Sequence, residues 1–203
     1  MTVNIRQVGE PVLRQRARPL TVEEIRSAPI QRLIEQMRDT MREAPGVGLA
    51  APQIGQSLRL AVIEDREEYL QGIAPTILEE RSRTVVPFHV IVNPRLTVLH
   101  NASAVFFEGC LSLDGFAALV PRALAVRVDC LNEHGEPVVL QARGWYARIL
   151  QHEIDHLNGA LYIDRMLSRS FMRIDNLTKH WSDKPLSHLQ AALDLPDLVP
   201  PRT

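Results

Sequence analysis

His152-Glu153-Ile154-Asp155-His156 is the run of this chain whose residue types and spacing could do chemistry. On a helix, positions i and i+4 share one face, so both imidazoles reach a single metal ion. Glu153 leans toward the same side, where it can take a proton from a water held at that ion. The alternative is a solvated surface face of His, Glu and Asp. The neighbours argue against it. Ile149, Ile154 and Leu157 recur at helical spacing beside the histidines, and Gly159 stands where a terminating glycine would sit. The pattern predicts a helix over about 144–157, buried along one side.

A hydrolytic metal site takes three protein ligands and leaves one position open. The metzincin spacing would put a third histidine at position 162, which is Tyr162. Two cysteines remain, Cys110 and Cys130. Cys130 sits in the alternating run Ala125-Val126-Arg127-Val128-Asp129-Cys130-Leu131 and reads as a core thiol. Cys110 sits in Phe107-Glu108-Gly109-Cys110-Leu111-Ser112, a strand interrupted by glycine, where backbone approaches closely or bulges. That local pattern fits a metal ligand and a structural thiol equally well.

Two further words join the first. Gly46-Val47-Gly48-Leu49-Ala50-Ala51-Pro52-Gln53, Glu108-Gly109-Cys110-Leu111-Ser112 and Gln151-His152-Glu153-Ile154-Asp155-His156, in this order, resemble the peptide deformylases. The resemblance spans about residues 3–175. Glu64 to Tyr69, Gly144-Trp145 and Asp164-Arg165-Met166 look closer to the organellar-type branch. The resemblance implies that Cys110, His152 and His156 hold one divalent metal, Fe(II) in the cell, with zinc, nickel or cobalt in purified protein. It implies hydrolysis of the N-formyl group of the initiator methionine on new polypeptides by a metal-generated hydroxide, with release of formate. Glu153 would serve as base and then acid, and the Gln53 amide and the Leu111 N–H would hold the growing oxyanion.

Position in the motifs points to Val47, Phe106, Trp145, Arg148 and Ile149 around the methionine, with Gly48, Glu108 and Gly109 beside the substrate. Core packing accounts for Phe106 and Ile149 equally well. A buried Glu108 needs a partner, and Arg122 or Arg148 is the candidate. One departure stands out: many bacterial relatives carry an arginine toward the substrate entrance where this chain has Ala117.

The elements that must position these groups read as α+β: small antiparallel sheets packed around a central metal-binding helix. Ile30, Leu33, Ile34, Met37 and Met41 form one stripe of an amphipathic helix near 30–43. Strands are expected at 58–63, at 90–94 with Pro94 as the stop, and at 96–99, 104–108, 123–131 and 137–142. Residues 64–87 read as a charged surface insertion with a short helical part. A single catalytic domain is expected over 1–175. Residues 176–203 then form an extension broken by Pro185, Pro196, Pro200 and Pro201.

Composition excludes other classes. The 203 residues carry a net charge of −1, which leaves no overall footprint for direct nucleic-acid binding. Two cysteines make no disulfide framework, no apolar leader opens the chain, and no apolar run is long enough for a bilayer. Those features predict a cytoplasmic protein; the resemblance implies that it meets formyl-methionyl chains at the ribosome, and homodimerisation through the tail is a further expectation. The rivals are a general metallopeptidase, a binding protein that has lost its chemistry, and a structural zinc module. The third would need a fourth ligand.

Overall fold

The computed structural model describes residues 2–182 and 184–195. In chain order it contains α1 (Val22–Arg26), α2 (Ala28–Glu43), β1 (Gly48–Ala50), β2 (Leu60–Asp65), α3 (Glu67–Leu70) and α4 (Pro75–Glu80). Then come β3 (Val86–Val98), β4 (Ser103–Cys110), β5 (Leu113–Ala123), β6 (Ala125–Leu131) and β7 (Pro137–Arg143). α5 (Gly144–Leu157), β8 (Met172–Arg173), α6 (Ile174–His180) and α7 (Leu186–Leu193) complete it. All strand pairs are antiparallel, in a five-stranded sheet ordered β1-β2-β3-β6-β7 and a three-stranded sheet ordered β4-β5-β8.

Strand alternation explains why the large sheet is covered on both faces. In β2, Leu60 and Val62 join Ile34, Met37 and Met41 of α2, whereas Ala61 and Ile63 join Ile149, Leu150, Ile154 and Leu157 of α5. Every residue of β2 is therefore buried. The large sheet meets α5 through β1, β2, β3, β6 and β7, and the small sheet meets it through β5. α5 is thus the axis between the sheets. That explains why nine of its residues are buried, polar ones included, and why each buried polar group needs a partner.

Three expectations change. Pro94 does not end a strand: β3 continues to Val98, and its register against β6 shifts between Val92 and Arg95. Asn93, at φ +52°, turns the chain there, and its amide accepts from Leu20 N–H and donates to Leu20 C=O. This bulge accommodates a residue that has no N–H to offer the ladder. Next, β5 was not expected over most of its length, because it is buried from Ala117 to Val120 on both sides and shows no alternation. Finally, the 64–87 segment is docked rather than merely exposed. Arg83 pairs with the fully buried Asp65, and Arg81 C=O accepts from Trp145 N–H at 2.8 Å. Gly144 permits that approach: at φ +56°, an added Cβ would stand 2.6 Å from Arg81 O.

The extension is also docked on its own chain. Leu177, Trp181, Leu186 and Leu189 share an apolar crevice with Val105, Phe106 and Leu119, and Leu189 is 4% exposed. Pro196, Pro200 and Pro201 lie outside the described residues. Among the described residues, no helix is long and apolar enough to cross a membrane.

Candidate metal centre and active site

Helix α5 presents His152 and His156 one turn apart, with ring centroids separated by 5.0 Å. Cys110 arrives from the end of β4, where the register against β5 shifts between Gly109 and Cys110. The shift places Cys110 Sγ 3.3 Å from His156 Nε2. One donor atom from each of Cys110, His152 and His156 lies within 4.8 Å of the others. Thiolate sulfur and two imidazole nitrogens are the donor set of a borderline-soft divalent ion.

The polar groups behind the donors explain how they are held. Glu108, 5% exposed, receives a two-pronged bond from Arg122 at 2.9 Å on each arm and a third from Arg148 at 2.6 Å. Its Oε2 lies 3.0 Å from His152 Nδ1, leaving Nε2 of that ring for a metal. Burial raises the Glu108 pKa, but the hydrogen bonds from His152 and then Arg122 outweigh it and hold the carboxyl far below the usual range. Arg122 also donates to Asp155, which Arg165 grips by both oxygens at 2.6 and 2.7 Å. A chain of opposite charges thus runs from the surface through α5 to His152. Arg148 is further pinned by Val120 C=O and Ala104 C=O.

Glu153 differs from all of these. It is 3% exposed, and its Oε2 has no hydrogen-bond partner. Burial pushes its carboxyl up to about 7, close to where a base works best at neutral pH. An orphaned buried carboxylate oxygen beside three clustered donors fits a site built around a metal and a water. Gln53, 2% exposed, is locked by Ala50 N–H on its Oε1, and its Nε2 lies 3.6 Å from Cys110 Sγ and 3.3 Å from Ser112 Oγ. Leu111 sits at the β4–β5 turn, with Gln7 Nε2 donating to its carbonyl.

A cavity of about 840 Å³ opens over this centre. Val47, Gly48, Glu108, Gly109, Trp145, Arg148 and Ile149 all line it, together with Gln53, Leu111, His152 and Glu153. Phe106 does not. Its ring lies between the guanidiniums of Arg81 (5.5 Å) and Arg148 (5.2 Å), and the neighbouring Phe107 lines the cavity instead. Side chains one apart in a strand point to opposite faces, so the expectation chose the wrong one. Phe116 and Ile174 were also missed. Alternation from Gly109 would have indicated Phe107, but no local signal marks Ile174, which reaches the cavity only because β8 pairs with β5. Ala117, 4% exposed, is paired with Gly109 on one side and Met172 on the other.

Two experiments test this geometry. A Cβ on Gly48 would collide with Glu153 Oε1 and stand 2.6 Å from its Cδ. Gly48→Ala is therefore expected to fold but to displace the carboxylate, lowering kcat/KM by about 10²-fold. Full activity would show that Glu153 need not occupy this position. For the second thiol, burial and then Asp129 push Cys130 up to about 11. The metal-stripped native protein should release one fast equivalent with a thiol reagent, from Cys110, and the second only on unfolding. Two fast equivalents would place Cys130 at the surface.

Fold and donor set together define a protein with one Cys-His-His cluster able to hold a metal ion among the described residues, its HExxH run on a central helix. The chain belongs to the polypeptide deformylase family, whose model matches residues 2–171. It is 47% identical over 174 residues to a chloroplastic peptide deformylase 1A of Solanum lycopersicum, covering 86% of this chain and 63% of that protein. It is 43% identical over 168 residues to the mitochondrial peptide deformylase of Homo sapiens, covering 83% and 69%. Both are organellar proteins, as the branch resemblance implied. Among solved structures, the class I type b peptide deformylase of Acinetobacter baumannii with Met-Ala-Ser bound superposes with a TM-score of 0.73. The two are 33% identical, and the match covers 82% of this chain and 99% of that one. The chain spans about 63% of the length of the tomato and Arabidopsis relatives it matches.

Proposed function

We propose that this chain hydrolyses the N-formyl group of formyl-methionyl polypeptides, converting the formamide and water into formate and a free amine. The carrying observation is the cluster of Cys110, His152 and His156 donors with the orphaned, buried Glu153 carboxylate beside it. Cys110, His152 and His156 would hold one divalent metal, which would supply Lewis acidity toward the formyl carbonyl and lower the pKa of a water toward neutrality. Glu153 takes the proton from the attacking water on Oε2 and delivers it to the leaving nitrogen. Gln53 Nε2 and the Leu111 N–H hold the oxygen on which negative charge grows. In this reading Trp145, Ile149 and Val47, which line the cavity, receive the methionine side chain.

Fe(II) is the working metal in this reading, and the thiolate-imidazole set accepts zinc, nickel or cobalt in its place. In this reading the reaction takes place in a reducing cytoplasm, where chains leave the ribosome. A homodimer formed through the tail is part of the same proposal, and a monomeric mass by light scattering at micromolar concentration would end it.

The test is formate release by anaerobically purified, metal-loaded protein from formyl-Met-Ala-Ser, with acetyl-Met-Ala-Ser as control. Formate from the first and no acetate from the second is expected. Cleavage of an internal bond in an unformylated peptide would replace this reading with a general metallopeptidase.

A further inference from the structure

On the far side of α5 from the metal centre lies a second groove, of about 760 Å³. Arg16, Arg59, Arg95, Arg122 and Arg165 line it, against a single carboxylate, Asp155. This concentration of positive charge sits on a chain whose net charge is −1. Asp155 cannot neutralise it, since both its oxygens are already occupied by Arg122 and Arg165. Among the described residues, Arg16 and Arg59 form no ion pair with a carboxylate, and Arg95 makes no close pair either, although Asp129, which Arg127 already holds, stands opposite it across the β3–β6 register and feels its charge.

Arg59 shows how the groove is built. Its guanidinium is held by neutral acceptors: Nη1 donates to Asn158 Oδ1 at 2.9 Å and Leu157 C=O at 3.3 Å, and Nη2 donates to Pro94 C=O at 2.9 Å. Burial, and after it the Arg16 charge, hold its pKa below the usual arginine value. The fold thus fixes a partly desolvated cation beside a second cation, at an electrostatic cost that no protein anion offsets. A planar guanidinium fixed in this way is suited to phosphate oxygens. Pro94, Leu96 and Ile154 provide an apolar wall beside the charges.

We propose that this groove binds a phosphate ester of nucleotide size, with the phosphates on Arg16, Arg59 and Arg95. A single carboxylate would leave most of the positive charge unmatched, whereas a di- or trivalent phosphate meets it. The wall accounts for an organic portion. This site is separate from the metal centre and does not depend on the proposed reaction.

The test is calorimetric titration of the zinc-loaded full chain at low salt with inorganic phosphate and then adenosine 5′-diphosphate. Arg16→Glu is the main variant, because Arg16 is exposed and carries no hydrogen bond whose loss would threaten folding. Saturable binding is expected, tighter for the diphosphate and weakened at least about tenfold by Arg16→Glu, with formate release unchanged. Arg95→Glu should act in the same direction. Equal affinity in wild type and both variants would put the phosphate elsewhere, at the metal centre for instance, and overturn the proposal. No saturable binding would overturn it outright. A labelled oligouridylate that binds while the diphosphate does not would replace it with an extended RNA-backbone interface.

Discussion

Glu153→Gln is expected to lower kcat/KM for a formyl-methionyl peptide by about 10²–10⁴-fold, the range that positioned proton transfer contributes. Glutamine fills the same volume, so the packing against Gly48 survives and only proton transfer is lost. The variant should keep its metal, because Cys110, His152 and His156 are untouched. Its melting temperature should hold or rise, since burial of the carboxylate already works against its charged form. Formate release, metal content and melting belong on one sample. Activity within about tenfold of wild type would remove Glu153 from the proton pathway. A loss of activity that tracks a loss of metal would assign it to the metal site instead.

Glu108→Ala has the second large effect, this time on stability and metal retention. The substitution leaves Arg122 and Arg148 buried at 5% and 3% exposure without their shared carboxylate. Breaking a buried pair in this way costs about 3–5 kcal/mol. For a domain of this size, that lowers Tm by roughly 6–20 °C. His152 also loses its Nδ1 partner, which weakens metal binding by about 10–100-fold. Calorimetry and dialysis against a chelator read the two effects separately. Unchanged melting and metal content would show that Glu108 is a passenger. The pH dependence has a definite sign. The folded Glu108 pKa lies below its ordinary value of 4.5, so its contribution is fully present above that value. It disappears only as the pH falls into strong acid.

Much of the site was legible because its logic is local. The bounds of α5 follow from helical spacing and from Gly159, and the structure ends the helix at Leu157. The α2 stripe of Ile34, Met37 and Met41 is buried as its periodicity required. The need of Glu108 for a cationic partner followed from its type and setting, although the answer was both Arg122 and Arg148. Where reading failed, the deciding force was mostly not local, the facing of Phe106 and Phe107 being the exception. Two-sided burial erased the alternation of β5. A bulge carried β3 through Pro94, and a one-residue difference in strand facing exchanged Phe106 for Phe107.

By itself, the sequence determined that two imidazoles and a carboxylate share one helical face, because i and i+4 coincide on any α-helix. It also determined the family words and a core large enough to bury them. The family words already pointed to Cys110; the tertiary structure supplies the means, since the β4–β5 register shift brings it within 3.3 Å of His156, while Cys130 is buried in the large sheet. Only the tertiary structure ran Arg165, Asp155, Arg122 and Glu108 in series to His152, and gathered Arg16, Arg59 and Arg95 behind α5. Such groups lie far apart in the chain. What brings them together is the packing of two sheets on one helix, a balance of buried area against chain entropy that no short window of residues contains.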